Sequence, residues 1–352
     1  MTLLNVCMVI SPTDFCQHWL NLESPTRDSQ FEPGIRGWRS HILPKNKTQV
    51  TEFILVGLSS DLQPYLFMFF LLIYLLTLTG NVMITLTITL ESQLQSPMYL
   101  FLRSLSVTEI FYVTTTLPRM LRDFLHIDKS ISFAGCAAQL YFFSFLGAAE
   151  CFILAFMAYD RYLAICHPLQ YMTIMTKKKC LWLSVASWLG GMFLPMANIV
   201  LVFCLPYCGS NVVDHFFCDV LPVMRLACTN TLANEIGIVV YSFVVIPLPF
   251  LLILVSYVHI LVAIFKIRSA SGRSKVFSTC GSHLTSVSLF YGSATITYIR
   301  TKPIDAQKGA KALSLLYLVF VPMLNPLIYS LRNAKVKTAM KRVIGRLFQF
   351  HS

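Results

Sequence analysis

Asp160 and Arg161 stand side by side at the end of a long apolar run, in the string MAYDRYLAICHP from Met157 to Pro168. Ionised groups are expensive in hydrocarbon, so such a pair must lie at a water interface, be paired, or do a job. An interfacial anchor and a working switch are both open on the pair alone. Further polar residues interrupt other apolar stretches: Asn81 after Gly80, Glu109, Glu150, and Asn325-Pro326 with Tyr329. Facing lipid, each would be costly, so they are expected to meet inside a bundle, where two carboxylates and two amides could share protons, hold water or bind sodium. Tying helices together is the plainer role, and it stays open beside switching. Bond-making chemistry has little to stand on. The chain has no phosphate-cradling glycine loop, no G-x-S-x-G elbow and no H-E-x-x-H pair, so no enzyme is expected.

The elements that would hold these residues follow from composition. Of 352 residues 56% are hydrophobic and 12% charged, too little polar surface to cover a soluble globule. A membrane helix needs about 20 mostly apolar residues. Candidates run near Tyr65–Leu90, Met98–Leu121, Ala134–Ile165, Leu181–Phe203, Leu232–Phe265, Val276–Ile299 and Ala310–Leu331. The expected fold is therefore an all-α membrane protein, a seven-transmembrane helix bundle. An odd number of spans puts the termini on opposite faces.

Short loops rich in Lys and Arg mark the cytoplasmic side. Lys177, Lys178 and Lys179 follow the third span, and Lys266, Arg268, Arg273 and Lys275 follow the fifth. Beyond the seventh come Arg332, Lys335, Lys337, Lys341, Arg342 and Arg346, with no Asp or Glu after Asp305. This places the N-terminus outside and the C-terminus inside. Arg300, Lys302, Lys308 and Lys311 oppose the bias, and the span count outweighs them. The net charge of +12 thus gathers on one face, which suits anionic membrane lipid and an acidic cytosolic partner; no nucleic acid partner is expected. Residues 333–348 read as a short cytoplasmic amphipathic helix on the inner leaflet.

Three regions follow: an extracellular tail over 1–64, the membrane bundle over 65–331, and a cytoplasmic tail over 332–352. The N-terminal tail is too short and polar to bury a core of its own. Its first twenty residues lack a basic start and are broken by Pro12 and Asp14, so no signal cleavage is expected. Asn46-Lys47-Thr48 is an acceptor for N-glycosylation on the outside. Of the eleven cysteines, Cys136, Cys208, Cys218 and Cys228 fall on the oxidising side. Cys151, Cys166, Cys180 and Cys280 read as intramembrane or cytosolic thiols, and Cys7, Cys16 and Cys204 have no obvious partner.

The extended string MAYDRYLAICHPL resembles the rhodopsin-like (class A) G-protein-coupled receptors and, in its longer form, their olfactory receptor branch. Three other stretches resemble the same branch: PMYLFLRSLSVTE before Glu109, HFFCD at His215–Asp219, and SKVFSTCGSHL from Ser274 to Leu284, which is the most branch-specific. The likeness covers the chain from about Asn46 to Lys341, and residues 1–43 depart from it as an atypical extension. Glu109 stands where Asp is more usual, which weakens the case for a sodium ion near Glu109 and Glu150.

The resemblance implies Cys136–Cys218 and Cys208–Cys228 disulfides; a copper or zinc reading of His215-x-x-Cys218 competes with the first and loses, so no metal site is expected. It also implies a heterotrimeric G protein as partner. Arg161 would be restrained by Asp160 and freed on activation, with Tyr162, Tyr257, Lys275 and His283 on the exposed surface and Asn325, Pro326 and Tyr329 forming a hinge. An odorant pocket is implied in the outer half. Phe143, Ser144, Gly147, Ala148 and Cys151 fall on one helical face, joined by Tyr241, Ser242 and Val245, and by Tyr291, Ala294, Thr295 and Tyr298. Aromatic walls with a few hydroxyls suit a small, mainly apolar molecule, although each residue alone could equally serve packing. The implied output is a rise in cAMP at the plasma membrane, in the sensory cilia of olfactory neurons. A non-olfactory rhodopsin-like receptor and a polytopic transporter are the rival readings; no paired halves support the second.

Overall fold

Long apolar runs become long helices, and their ends fall where capping chemistry puts them. The structure, a computed structural model, describes residues 50–57, 62–266, 269–299, 311 and 314–349. Asn46, Cys7, Cys16 and the 1–43 extension lie outside the described residues, as do the side chains of Lys275 and Tyr298. After a strand β1 (Glu52–Leu55), the chain forms α1 (Gln63–Leu90), α2 (Pro97–Leu125), a strand β2 (Ser130–Ser132), α3 (Phe133–Cys166), a short α4 (Pro168–Ile174) and α5 (Lys177–Phe203). Then come β3 (Val212–Val213), α6 (Val220–Met224), α7 (Leu232–Val245), α8 (Pro247–Lys266), α9 (Ala270–Ile299), α10 (Val321–Arg332) and α11 (Ala334–Gln349). Ser132 caps α3 by accepting from the Gly135 N–H, and Thr176 caps α5 by accepting from Lys179.

The seven expected spans are present, with two departures. The fifth is split into α7 and α8, because Pro247 has no N–H for the carbonyl four residues back. The seventh carries a π-turn over Leu316–Phe320 before α10. Among the described residues, four helical stretches are long and apolar enough to cross a membrane by themselves: α1, α3, α5, and α7 with α8. The second carries Arg103, Glu109, Arg119, Arg122 and Asp123, so it depends on burying its polar face against its neighbours.

At the outer end the helical bundle carries one addition that the sequence does not predict. There a small sheet has the order β2-β1-β3, with β1 antiparallel to β2 and parallel to β3. Alternation along β1 buries Phe53 and Leu55 completely, and the Phe53 ring packs on Phe133 and Tyr207. Part of the tail is thus woven into a cap over one end of the bundle. Cys136–Cys218 and Cys208–Cys228 pair as the resemblance implies, with Cα–Cα distances of 5.5 and 5.8 Å. Cys204 is also disulfide-bonded, while Cys151, Cys166, Cys180 and Cys280 are free thiols.

Candidate functional site

At the inner end of α3 both Asp160 and Arg161 are buried. The expected Asp160 restraint is shared: Asp160 Oδ1 accepts from the Tyr171 hydroxyl of α4 at 2.9 Å, while the Arg161 charge also acts on it. Arg161 reaches Cys280 on α9 within hydrogen-bonding distance, and its charge acts on Tyr257 and Tyr329. Tyr162 points elsewhere, toward His167 Nε2 at 3.0 Å and the His259 ring. His283 sits at the junction of three helices. Its Nε2 lies 3.1 Å from the Leu154 carbonyl of α3, and its Nδ1 lies 2.8 Å from the Tyr257 hydroxyl of α8. A carbonyl only accepts, so Nε2 carries a proton and donates to Leu154. The ring therefore holds α9 against both neighbours.

The intramembrane polar residues do meet. Pro326 gives no N–H to the carbonyl of Pro322, and the Asn81 amide supplies one instead at 3.3 Å. Gly80 allows the approach, since a Cβ there would lie 3.0 Å from Pro326 Cβ. Asn325 donates to Glu109 and accepts from Ser286 Oγ at 2.7 Å, joining α2, α9 and α10. Glu109 Oε2, both oxygens of Glu150 and the Asn81 Oδ1 are buried with no hydrogen-bond partner among the described residues. Two neighbouring buried carboxylates cannot both stay ionised cheaply without a positive charge between them. The donor set therefore fits a shared proton or a small hard cation.

The outer half is more divided than the sequence suggests. The five-residue face of α3 spans about 140° at about 100° per residue, and neighbours split it. Phe143 stacks on Tyr112 at 5.4 Å and approaches Phe217 at 5.0 Å and Tyr317 at 6.3 Å, and a Cβ on Gly147 would meet Tyr112. These two positions face α2, the cap and the seventh span, a correction to the single face. Ser144, Ala148 and Cys151 face the fifth and sixth spans. The Tyr241 hydroxyl donates to the Ser144 carbonyl at 3.1 Å, the Tyr291 hydroxyl to that of Cys151 at 3.5 Å, and Val245 is buried in the same cluster. Ser242 is half-buried, Ala294 is buried, and Thr295 is exposed.

Over this end lies the loop holding β3 and α6. His215 is buried between the rings of Phe216 and Phe217, and Lys311 of the seventh span pairs with Asp214. Burial, helped by the Lys311 charge, lowers the His215 imidazole to about 3, so it is neutral. Burial pushes the Asp219 carboxyl up to about 6, although a bond from the Val220 N–H opposes the rise.

At the inner face, Val336, Ala339 and Val343 form the buried stripe of α11. Its Arg342 and Arg346 turn back to the buried Glu91 at 3.3 and 3.1 Å, a clasp that the basic pattern alone does not predict.

The chain matches the olfactory receptor family over residues 70–346. It is 48% identical to the human olfactory receptor 10A7 over 302 residues, covering 85% of this chain and 96% of that one. To the mouse olfactory receptor 5G9 it is 45% identical over 304 residues, 86% of this chain and 97% of the relative. In fold it is similar to the crystal structure of squid rhodopsin, with a TM-score of 0.65 at 17% identity over 83% of this chain and 87% of the other. The chain therefore belongs to the olfactory receptor family: it is a multi-pass plasma-membrane receptor for small odorant molecules that acts through a G protein and is not an enzyme.

Proposed function

We propose that an odorant bound in the outer half of the bundle loosens the inner end of α9, freeing Arg161 to meet the C-terminus of a stimulatory, olfactory-type Gα subunit and raise cAMP. The observation that carries this reading is the buried His283, which ties α9 to α3 through Leu154 and to α8 through Tyr257. Arg161 lies beside the same junction, against Cys280 of α9. Any outward movement of α9 breaks these bonds and uncovers a buried cation. Asp160, Tyr162, Lys275, Asn325, Pro326 and Tyr329 are the remaining switch residues, the last three flexing where Pro326 interrupts the seventh helix.

The odorant volume is assigned to Ser144, Ala148, Cys151, Tyr241, Ser242, Val245, Tyr291, Ala294, Thr295 and Tyr298, with Phe143 and Gly147 on its far wall. Tyr241 and Tyr291 donate to backbone carbonyls, which leaves each phenol oxygen free to accept from an odorant hydroxyl. A sodium ion between Glu109 and Glu150 would supply the positive charge that their orphaned oxygens call for. The remaining assignments are an outside N-terminus glycosylated at Asn46, an inside C-terminus with α11 on anionic lipid, and residence in sensory cilia.

A cAMP reporter in cells expressing the receptor, screened with a broad volatile panel beside an Arg161→Ala variant, tests the reading. The variant should lose the response at normal surface expression; an unaffected response removes Arg161 from the mechanism. Tyr291→Phe should weaken odorant potency while sparing the maximal response.

A further inference from the structure

On the side of α3 turned away from Ser144 and Cys151 lies a groove of about 540 Å³ that the odorant volume does not include. Phe111, Phe142, Phe145 and Trp188 form its walls, Ala138 its floor, and Arg119 its outer end. Phe111 and Phe142 are about half exposed, so the groove opens sideways between α2, α3 and α5, toward the lipid, and not into the bundle. Its extent along α3, from Gly135 to Leu146, corresponds to ~16 Å at ~1.5 Å per residue. That is about half of a ~30 Å hydrocarbon core, the depth of one leaflet.

The polar groups at the two ends differ sharply. The midplane end, at Trp188 and Leu146, is apolar. At the outer end the Arg119 guanidinium gives Nε to Asp123 and Nη2 to the Ser130 carbonyl at 2.6 Å, which leaves Nη1 for another acceptor. Asp123, one turn on along the same face of α2, takes the Nε edge of that guanidinium and also lines a smaller pocket with Phe216 and Lys129. The exposed Arg122 lies one turn on, and the first turn of the 34-residue α3 begins at Phe133 beside the groove. With Arg119, Arg122 and Lys129 set against Asp123 and Asp128, that end keeps a net positive charge, and the start of a long helix adds to it, which favours a negative headgroup there. Thr115 and Gln139 also line the groove, but Thr115 Oγ1 donates to Phe111 O, and Gln139 is held by Thr115 O and the Cys218 N–H.

We propose that this groove binds a long-chain fatty acid from the outer leaflet, its carboxylate on Arg119 and its chain along Ala138 toward Trp188. Such an occupant would wedge against α2, α3 and α5 without entering the odorant volume. A photoreactive, alkyne-tagged long-chain fatty acid tests this in membranes of cells expressing the full receptor. The expected result is labelling of peptides from α2 and α3 around Phe111–Arg119 and Gly135–Leu146, competed by unlabelled fatty acid. Ala138→Trp fills the floor without touching the Arg119 bonds and should cut labelling about tenfold, equivalent to about 1.4 kcal/mol, at equal surface expression. Arg119→Gln should weaken labelling similarly and Arg119→Lys should retain most of it. Should Arg119→Gln fail to reach the surface, the methyl ester of the same probe isolates the charge, and it should label at least several-fold less. Unchanged labelling in Ala138→Trp, or a methyl ester or photoreactive sterol labelling these peptides as strongly as the acid, overturns the proposal.

Discussion

The side-chain amide of Asn81 donates to the backbone carbonyl of Pro322 at 3.3 Å, the oxygen that Pro326 leaves without its helical donor. Two sequence features more than two hundred residues apart thus belong to one hydrogen-bond account, with Gly80 clearing the space. Removing Asn81 leaves a buried carbonyl unpaired, at a cost of about 1–3 kcal/mol. Asn81→Ala should therefore lower the melting temperature of the purified receptor. In a Pro326→Ala background the new backbone N–H can serve Pro322, so the same substitution should cost much less. Equal losses in both backgrounds would show that Asn81 matters for another reason, such as its contact with Glu109.

Gly191 and Gly190 offer a paired test of how α5 crosses α3. A Cβ on Gly191 would lie 2.5 Å from the Phe145 carbonyl and 2.9 Å from the Ala149 nitrogen, both backbone atoms that cannot move aside. On Gly190 it would meet only the Phe152 ring, at 3.4 Å. Gly191→Ala should cost about 1–3 kcal/mol by overpacking and reduce the receptor at the cell surface, whereas Gly190→Ala is tolerated. Surface staining of tagged receptors, calibrated by thermal melting, checks the contrast.

Much of this organisation was legible from hydropathy and from local motifs. Span boundaries fall within a few residues of the expected ones because each membrane helix must satisfy its own backbone and carry its own apolar length. The cysteine pairs followed from the resemblance. The break at Pro247 was hidden because the run through it stays apolar, and hydropathy does not register a missing N–H. The sheet was illegible for another reason. Its strands of two to four residues come from three separate segments and are stable only together, and β1 lies in a tail too polar to suggest burial. On α3 the sequence gives an angle but not what occupies it, so Phe143 and Ser144 looked like neighbours on one wall. Tyr112 and Phe217 claim the first, and Tyr241 the second.

The cap should respond to pH in two opposed stages. Unfolded, His215 protonates near 6.5, but in the folded loop only near 3, so stability falls as pH drops below 6.5. The slope is at most ~1.4 kcal/mol per pH unit. Asp219 works the other way: folded, it takes its proton near 6, and unfolded only near 3.8, so stability rises as pH drops from 6 toward 4. Melting temperature should therefore drift down only gently from pH 7 to 4, because below pH 6 the two groups nearly cancel. His215→Phe, which keeps the ring packing against Phe216 and Phe217, should turn the drift into a rise on acidification, and Asp219→Asn should let a steeper fall continue to pH 4. A wild-type profile that falls from pH 6 to 4 as steeply as that of Asp219→Asn would mean that Asp219 is not buried as described.

Glu109 and Glu150 distinguish a bound cation from a shared proton through an ion-exchange experiment. Their three orphaned oxygens lie beside Asn81 and Asn325, so a sodium ion would find oxygen ligands on the first, second, third and seventh spans. A cation that binds only the folded receptor stabilises it by about 2.7 kcal/mol at a hundredfold excess over its dissociation constant. Replacing sodium by choline at constant ionic strength should then lower the melting temperature of the wild-type receptor. Glu150→Gln keeps the side-chain shape and removes one charge, so its melting temperature should become indifferent to sodium. In choline it should match or exceed the wild type, because the repulsion between two buried carboxylates has gone. If wild-type melting is the same in both salts while Glu150→Gln is the more stable, a proton occupies the place assigned to sodium, and Glu109 and Glu150 serve as a hydrogen-bonded pair tying α2 to α3.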